Sequence, residues 1–176
     1  MGNVITRPPR TMTEVYQSLP EGTLAQLINN QLVMSPAPTT PHQRILGKIY
    51  SHLLQTAEAR RLGEVFMAPV DVFLGNKNIF QPDILFVATQ NGHLVKESGV
   101  HGAPDIVIEV LSPSTWHYDY GEKKDAYERC GVKEYWLADP ATKNAEGFAL
   151  ENKEFISLGT MQGKIKLRLI KTTIKF

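Results

Sequence analysis

The chain has 176 residues, enough for one domain with a substantial hydrophobic core. Its apolar fraction of 42% and charged fraction of 21% are typical of soluble proteins, and its apolar runs are far shorter than the roughly 20 residues of a membrane span. One cysteine excludes an internal disulfide, and a net charge of +1 argues against DNA binding through overall positive charge alone. We therefore expect a single cytoplasmic domain over residues 1–176, not a membrane protein.

The N-terminal part predicts a loose arm, a short helix and a hairpin. Residues 1–10 have no regular pattern. Thr11 and Glu14 form a capping-box pattern for a helix that ends near Leu19. A β-hairpin then extends over residues 24–34, with Asn29–Asn30 at its turn, because asparagine tolerates positive φ.

A long amphipathic helix follows. Thr39 or Thr40 can cap it, and Gly63 is expected to close it after Arg60–Arg61. Its apolar residues recur at helical spacing and predict one buried face: Ile45, Leu46, Ile49, Leu53 and Ala57.

The remaining elements predict an α/β protein with a mixed sheet. The strands expected after the long helix cover residues 64–67, 70–74, 79–87, 106–111 and 134–137, and antiparallel strands follow over residues 147–176. The run Ile106–Leu111 is apolar on both faces, which is typical of a central buried strand. Between the strands we predict a loop over residues 88–102 and a helix over Asp119–Cys130, capped by Asp119 and stopped by Gly131.

Two carboxylates interrupt the apolar strands. Glu109 lies between Ile108 and Val110, and Asp83 precedes Ile84. A buried carboxylate is expected to be paired, bound to a metal or near a strand end, because an unpaired one costs several kcal/mol. On neighbouring strands, Asp83 and Glu109 can converge on one hard cation, Mg²⁺ or Mn²⁺. Asp105 lies on the same face of the strand as Glu109 but about 13 Å away, and is expected to serve the start of the strand.

A lysine from the next helix can complete this group. Positions 123, 127 and 130 share one helical face, so Lys123 is expected to point toward the acids together with Tyr127. Lys124 is expected to face solvent and pair with Glu128. The alternative for Lys123 is a side chain that covers the sheet edge, and the alternative for Glu109 is a buried salt bridge.

These segments resemble those of the bacterial Uma family, which is classed with the PD-(D/E)XK restriction-endonuclease-like superfamily. The resemblance runs from the hairpin to Pro140 and is carried by residues 80–87, 103–114 and 119–123, and by Tyr127 followed by residues 131–140. It implies a mixed β-sheet core flanked by helices, with extra antiparallel strands at the N- and C-terminal ends. It also implies a divalent metal and hydrolysis of phosphodiester bonds in nucleic acid.

Two departures from the family pattern matter. The superfamily's lysine normally follows the acid by two residues, where this chain has Leu111, and this again favours Lys123. The family often has acids in its N-terminal hairpin, where this chain has Gln26 and Gln31. If one of those acids binds metal, activity here is weakened. His42 matches a histidine of the family, although a polar residue at a helix start is an equal interpretation.

We therefore expect a metal-dependent endonuclease in which Asp83, Glu109 and Lys123 are catalytic, and Asp83 and Glu109 hold Mg²⁺ or Mn²⁺. Tyr127, His42 and Gln31 are expected to support the site or contact phosphate. The expected partners are nucleic acid, DNA first, and a second copy of the chain as a homodimer. Two alternatives remain: a nucleic-acid-binding module that no longer cuts, and a structural or interaction protein whose acids form buried salt bridges.

Overall fold

The computed structural model describes residues 8–176, so most of the expected N-terminal arm lies outside the described residues. Within this range the chain forms four α-helices and fourteen strands. The helices are α1 Met12–Gln17, α2 Thr40–Ala59, α3 Trp116–Tyr120 and α4 Glu122–Cys130. The strands of the first half are β1 Ala25–Ile28, β2 Gln31–Met34, β3 Gly63–Met67, β4 Val72–Leu74, β5 Asn78–Phe80 and β6 Ile84–Ala88. Those of the second half are β7 Val95–Lys96, β8 Gly99–His101, β9 Ile106–Val110, β10 Glu134–Ala138, β11 Asn144–Glu151, β12 Glu154–Gln162, β13 Lys164–Leu167 and β14 Thr172–Lys175.

The main sheet is mixed, as the sequence predicted. Its strand order is β12-β11-β10-β9-β6-β3, with β9 and β10 parallel and the other neighbours antiparallel. All five residues of β9 are buried, which confirms the prediction of a central strand. Helix α2 packs its predicted apolar face against one side of this sheet, together with the hairpin β13-β14.

A second sheet has the order β2-β1-β5-β4-β8-β7 and supplies the extra N-terminal strands. Its first hairpin turns at Asn29 and Asn30, whose φ values of 47° and 67° confirm the predicted turn. The single strand expected over residues 79–87 is wrong. The chain leaves β5 at Phe80 and enters β6 of the main sheet at Ile84, because Pro82 lies between them and a proline cannot donate to a strand ladder.

Two helix ends differ from expectation. Arg61, with φ 52°, adopts the left-handed conformation after α2, while Gly63 already belongs to β3. The helix expected from Asp119 is two helices that meet at Gly121, and Asp119 is buried in α3 instead of capping α4. Gly131, with φ 93°, ends α4 as predicted. Among the described residues, no helix is long and apolar enough to cross a membrane.

Candidate active site

Asp83 and Glu109 lie at the same end of two adjacent antiparallel strands. Strands β6 and β9 pair with Ile84 opposite Ile108, which puts the residue before β6 beside the end of β9. Glu109 Oε2 accepts a hydrogen bond from the Asp83 backbone N–H at 3.1 Å. Asp83 Oδ2 accepts one from the Val110 N–H at 2.7 Å. Each carboxylate is thus fixed by the backbone of the strand that carries the other, and the sheet brings the two together.

Lys123 points into this pair from the first turn of α4. Its Nζ lies 2.6 Å from Glu109 Oε1 and 2.8 Å from Asp119 Oδ1. The residue is only 3% exposed, so both ion pairs are shielded from water. The helical spacing therefore gave the correct direction for this lysine.

The neighbouring Lys124 is held elsewhere. Its Nζ lies 4.1 Å above the centre of the Phe148 ring, and the side chain is half-buried rather than free in solvent. The expected pair with Glu128 is not formed, because that carboxylate accepts a hydrogen bond from the Phe155 N–H. Only Lys123 reaches the acidic pair.

Asp119 is a third carboxylate of the site, and the sequence reading missed it. It is buried, binds Lys123, and its backbone carbonyl accepts a hydrogen bond from the Tyr135 hydroxyl at 2.8 Å. Its position four residues before Lys123 was the available signal, because an acid and a lysine at this spacing meet on a helix surface.

Tyr127 and His42 support one carboxylate each. The Tyr127 hydroxyl donates to Glu109 Oε1 at 3.1 Å from within the core, so its partner is the acid and not the lysine or a phosphate. His42 Nε2 lies 3.2 Å from Asp83 Oδ2. His42 stands in the first turn of α2, where the Thr39 side chain caps the helix by accepting from its N–H. Its Nδ1 is buried and has no hydrogen-bond partner within residues 8–176.

Gln26 and Gln31, the two glutamines of the N-terminal hairpin, lie in different surroundings. Gln31 is exposed on β2 and does not line the cavity of this site. Gln26 does line it, and its Oε1 accepts a hydrogen bond from the Gln81 N–H at 3.1 Å, two residues before Asp83. Of the two, Gln26 is the one that contacts the segment carrying a site residue.

The carboxylates, Lys123 and His42 border a cavity of about 530 Å³. Helix α2, strand β9, Asp83 just before β6 and the segment before α3 all contribute to its wall. The polar residues that line it and belong to the group are His42, Asp83, Glu109, Asp119 and Lys123. A cavity of this size admits part of a larger molecule together with water.

Negative charge exceeds positive charge at this site. Within residues 8–176, three carboxylates, those of Asp83, Glu109 and Asp119, meet one lysine and one imidazole: Lys123 pairs with Glu109 and Asp119, and His42 pairs with Asp83. Burial raises the pKa of Glu109 to about 7; Lys123 opposes the rise, and the other two acids add to it. Burial likewise raises the pKa of Asp119. Burial acts to lower the pKa of Lys123, but the carboxylates outweigh it and hold that pKa well above its usual value. The site would therefore be stabilised by a further cation.

The chemistry of the donor set fits a hard divalent cation. Asp83 Oδ1 accepts no hydrogen bond from any residue in the described range 8–176, and Glu109 reaches the same cavity. Oxygen ligands of this kind suit Mg²⁺ or Mn²⁺. Residues 8–176 contain no group of three His, Cys, Asp or Glu side chains arranged for a metal. A cation here would thus depend on two carboxylates, a backbone carbonyl near Val110 and water.

Comparison with known proteins identifies the family. A family model described as "Uma2: Putative restriction endonuclease" matches residues 13–169. One similar solved structure is described as a putative nuclease belonging to DUF820 from Anabaena variabilis, with a TM-score of 0.75 and 19% identity over 93% of this chain and 92% of that chain. At this identity the likeness shows the fold, and it confirms the expected restriction-endonuclease-like architecture. No curated protein matches the chain. The match over nearly the whole described length shows that the chain belongs to the Uma2 family.

Proposed function

We propose that this protein is a divalent-cation-dependent nuclease that hydrolyses phosphodiester bonds in nucleic acid, with DNA as the expected substrate. The observation that carries the proposal is a set of three carboxylates at the wall of one cavity: Glu109 and Asp119 are buried and share Lys123, and the half-buried Asp83 lies beside Glu109 and pairs with His42. Membership of a family described as restriction endonucleases supports the nuclease activity.

In this proposal Asp83 and Glu109 hold Mg²⁺ or Mn²⁺. The bound cation would polarise a phosphoryl oxygen and lower the pKa of a bound water. Tyr127 keeps Glu109 oriented through its 3.1 Å hydrogen bond, and His42 does the same for Asp83. These contacts fix the ligands before substrate arrives, so little reorganisation accompanies the reaction.

Lys123 is assigned to electrostatic stabilisation of the reacting phosphate. Its two carboxylate partners at 2.6 and 2.8 Å keep the ammonium protonated, so it can donate a hydrogen bond to a developing oxyanion but is a poor general base. Asp119 is a second carboxylate partner that would keep the ammonium in position while Glu109 also holds a cation.

A nucleic-acid-binding protein that does not cut is the second candidate. The observation that favours it is Gln26, a neutral amide on the cavity wall where the family often has an acid. Its side chain accepts a hydrogen bond from the Gln81 backbone N–H, so Gln26 stabilises the segment that leads to Asp83. Cleavage separates the two candidates, because both predict binding and only the first predicts hydrolysis.

The test is a cleavage assay on single- and double-stranded DNA and RNA with Mg²⁺, Mn²⁺ or EDTA. We expect cation-dependent cleavage by the wild type and a loss of roughly a hundredfold or more in Lys123→Met, since removal of one preorganised electrostatic donor has effects of that size. Lys124→Met is the matched control and should retain activity, because Lys124 lies over Phe148. Absence of cleavage under every condition, or equal loss in both variants, would contradict the proposal.

A further inference from the structure

Helix α3 has two faces with different tasks. Asp119 points inward to Lys123, whereas Trp116 and Tyr120 point outward and are 51% and 40% exposed. The two exposed rings lie 6.1 Å apart at 74° to each other. Trp116 directly follows Thr115, which lines the cavity of the acidic group. An exposed aromatic pair thus stands beside the candidate active site.

The mouth of that cavity is apolar rather than basic. Leu24 and Met67 line it and are 38% and 41% exposed. Among the described residues that line the cavity, Lys123 is the only lysine or arginine, and it is already bound to two carboxylates. Proteins that hold duplex DNA do so largely through lysine and arginine contacts to phosphates. Such contacts are lacking on the described cavity wall.

The chain does have a basic surface, but it lies elsewhere. The C-terminal hairpin has an exposed cationic face formed by Lys164, Lys166 and Lys175. The loop of this hairpin is bound at the far end of α2, where Arg60 Nη1 donates to the Ile170 carbonyl at 2.7 Å. His42 lies 18 positions earlier on the same helix, roughly 27 Å away at 1.5 Å per residue. The loop of the hairpin therefore lies at the opposite end of α2 from His42, and none of the three lysines lines the cavity.

We propose that Trp116, with Tyr120 packed edge-on beside it, is a stacking surface for an unpaired base next to the scissile phosphate, so that the substrate is single-stranded or locally unpaired nucleic acid. This inference rests on the proposed nuclease function and names its substrate class. Stacking on exposed aromatic rings binds bases without regard to sequence, because every base has a π-face. The paired bases of an intact duplex are already stacked on each other and cannot use such a surface.

The tryptophan content gives a direct readout. The chain has two tryptophans, and Trp136 is fully buried in the core. A base that stacks on Trp116 should therefore quench the part of the emission that comes from the exposed indole. The experiment titrates the wild type in EDTA, where no cleavage occurs, with a single-stranded oligodeoxynucleotide and with the blunt duplex of the same sequence.

We expect the single strand to quench and to bind more tightly than the duplex. Trp116→Ala should weaken single-strand binding about 5- to 150-fold, the equivalent of one base–aromatic stack. Trp116→Phe should restore most of the affinity, measured by anisotropy of a labelled oligonucleotide. Ile156→Ala removes another exposed apolar side chain and is the control that should leave binding unchanged.

Four results would overturn the inference. Equal binding of single strand and duplex, with intact cleavage, would contradict it while leaving the nuclease function in place. Unchanged affinity in Trp116→Ala would do the same. If Trp116→Ala instead converts a dimer into a monomer in sedimentation, the surface is an interface between two copies. If the wild type binds neither nucleic acid and cleaves nothing, the inference fails together with the proposed function.

Discussion

The central strand β9 has a buried acid at each end, and the two acids are treated very differently. Asp105, just before the strand, accepts hydrogen bonds from the Ala88 N–H, the Asn91 amide and Lys133 Nζ. Glu109, near the other end, shares Lys123 with a second buried acid and lies next to a third. Both acids are 2% exposed, so burial alone does not distinguish them.

The difference lies in how the charge is compensated. The Asp105 carboxylate has donors for both oxygens, and no second acid competes for its lysine. At the Glu109 end, the carboxylates of Asp83, Glu109 and Asp119 lie close together and line a cavity. A folded protein tolerates such an arrangement at the expense of stability, and functional sites are where it is typically found. Four predictions test this contrast.

The largest effect is expected from removal of the shared lysine. Lys123→Met leaves the buried Glu109 and Asp119 without their cation and should lower the free energy of unfolding by about 3–5 kcal/mol in EDTA at pH 8. Lys124→Met should change it by less than about 1 kcal/mol, since that ammonium makes only a half-exposed contact to a ring. Urea unfolding of the two variants measures this. Similar losses in both would mean that Lys123 has no special electrostatic task.

Isosteric removal of charge should have unlike effects at the two ends of β9. Asp105→Asn places an NH₂ group against existing donors and should cost about 2–3 kcal/mol. Glu109→Gln places an NH₂ group against the Asp83 N–H and loses that hydrogen bond, but it also relieves like-charge repulsion, so the stability in EDTA should stay within about 1 kcal/mol of the wild type. Lys123 is not stranded, because Asp119 still binds it. A loss of several kcal/mol in Glu109→Gln would favour a purely structural salt bridge.

A smaller effect is expected in the pH dependence of stability. Burial raises the pKa of Glu109 from 4.5 to about 7, so the folded protein holds a proton that the unfolded chain has released between these pH values. Stability should therefore fall as the pH rises through this window, by at most about 1.4 kcal/mol per pH unit from this group. Glu109→Gln should show a shallower decline in EDTA over pH 5–7. Parallel profiles for the two proteins would contradict the assignment.

Most of the acidic group could be predicted because it depends on local periodicity. Glu109 interrupts a run that is apolar on both faces, which made its burial evident. The spacing of Lys123 and Tyr127 on a helix predicted which side of α4 points toward Glu109. The hairpin turn at Asn29 and Asn30 followed from the tolerance of asparagine for positive φ.

What the sequence did not reveal depends on tertiary placement. Asp119 has the local signature of a helix cap, and that interpretation obscured its pairing with Lys123 four residues later. The change of sheet between Phe80 and Ile84 depends on strand partners that no local pattern specifies. Of the two hairpin glutamines, the register of the strands decides which one meets the site, so Gln31 could not be told apart from Gln26.

The most direct test of the central claim is cation-dependent thermal stability. The wild type, Glu109→Gln and Asp105→Asn are melted with EDTA and with increasing Mg²⁺ or Mn²⁺. A cation at Asp83 and Glu109 should stabilise the wild type by about 2.7 kcal/mol at a hundred times its dissociation constant. Asp105→Asn should show the same increment from a lower starting point, and Glu109→Gln should show none. An equal increment in all three proteins, or no increment in the wild type, would contradict a cation site at this end of β9.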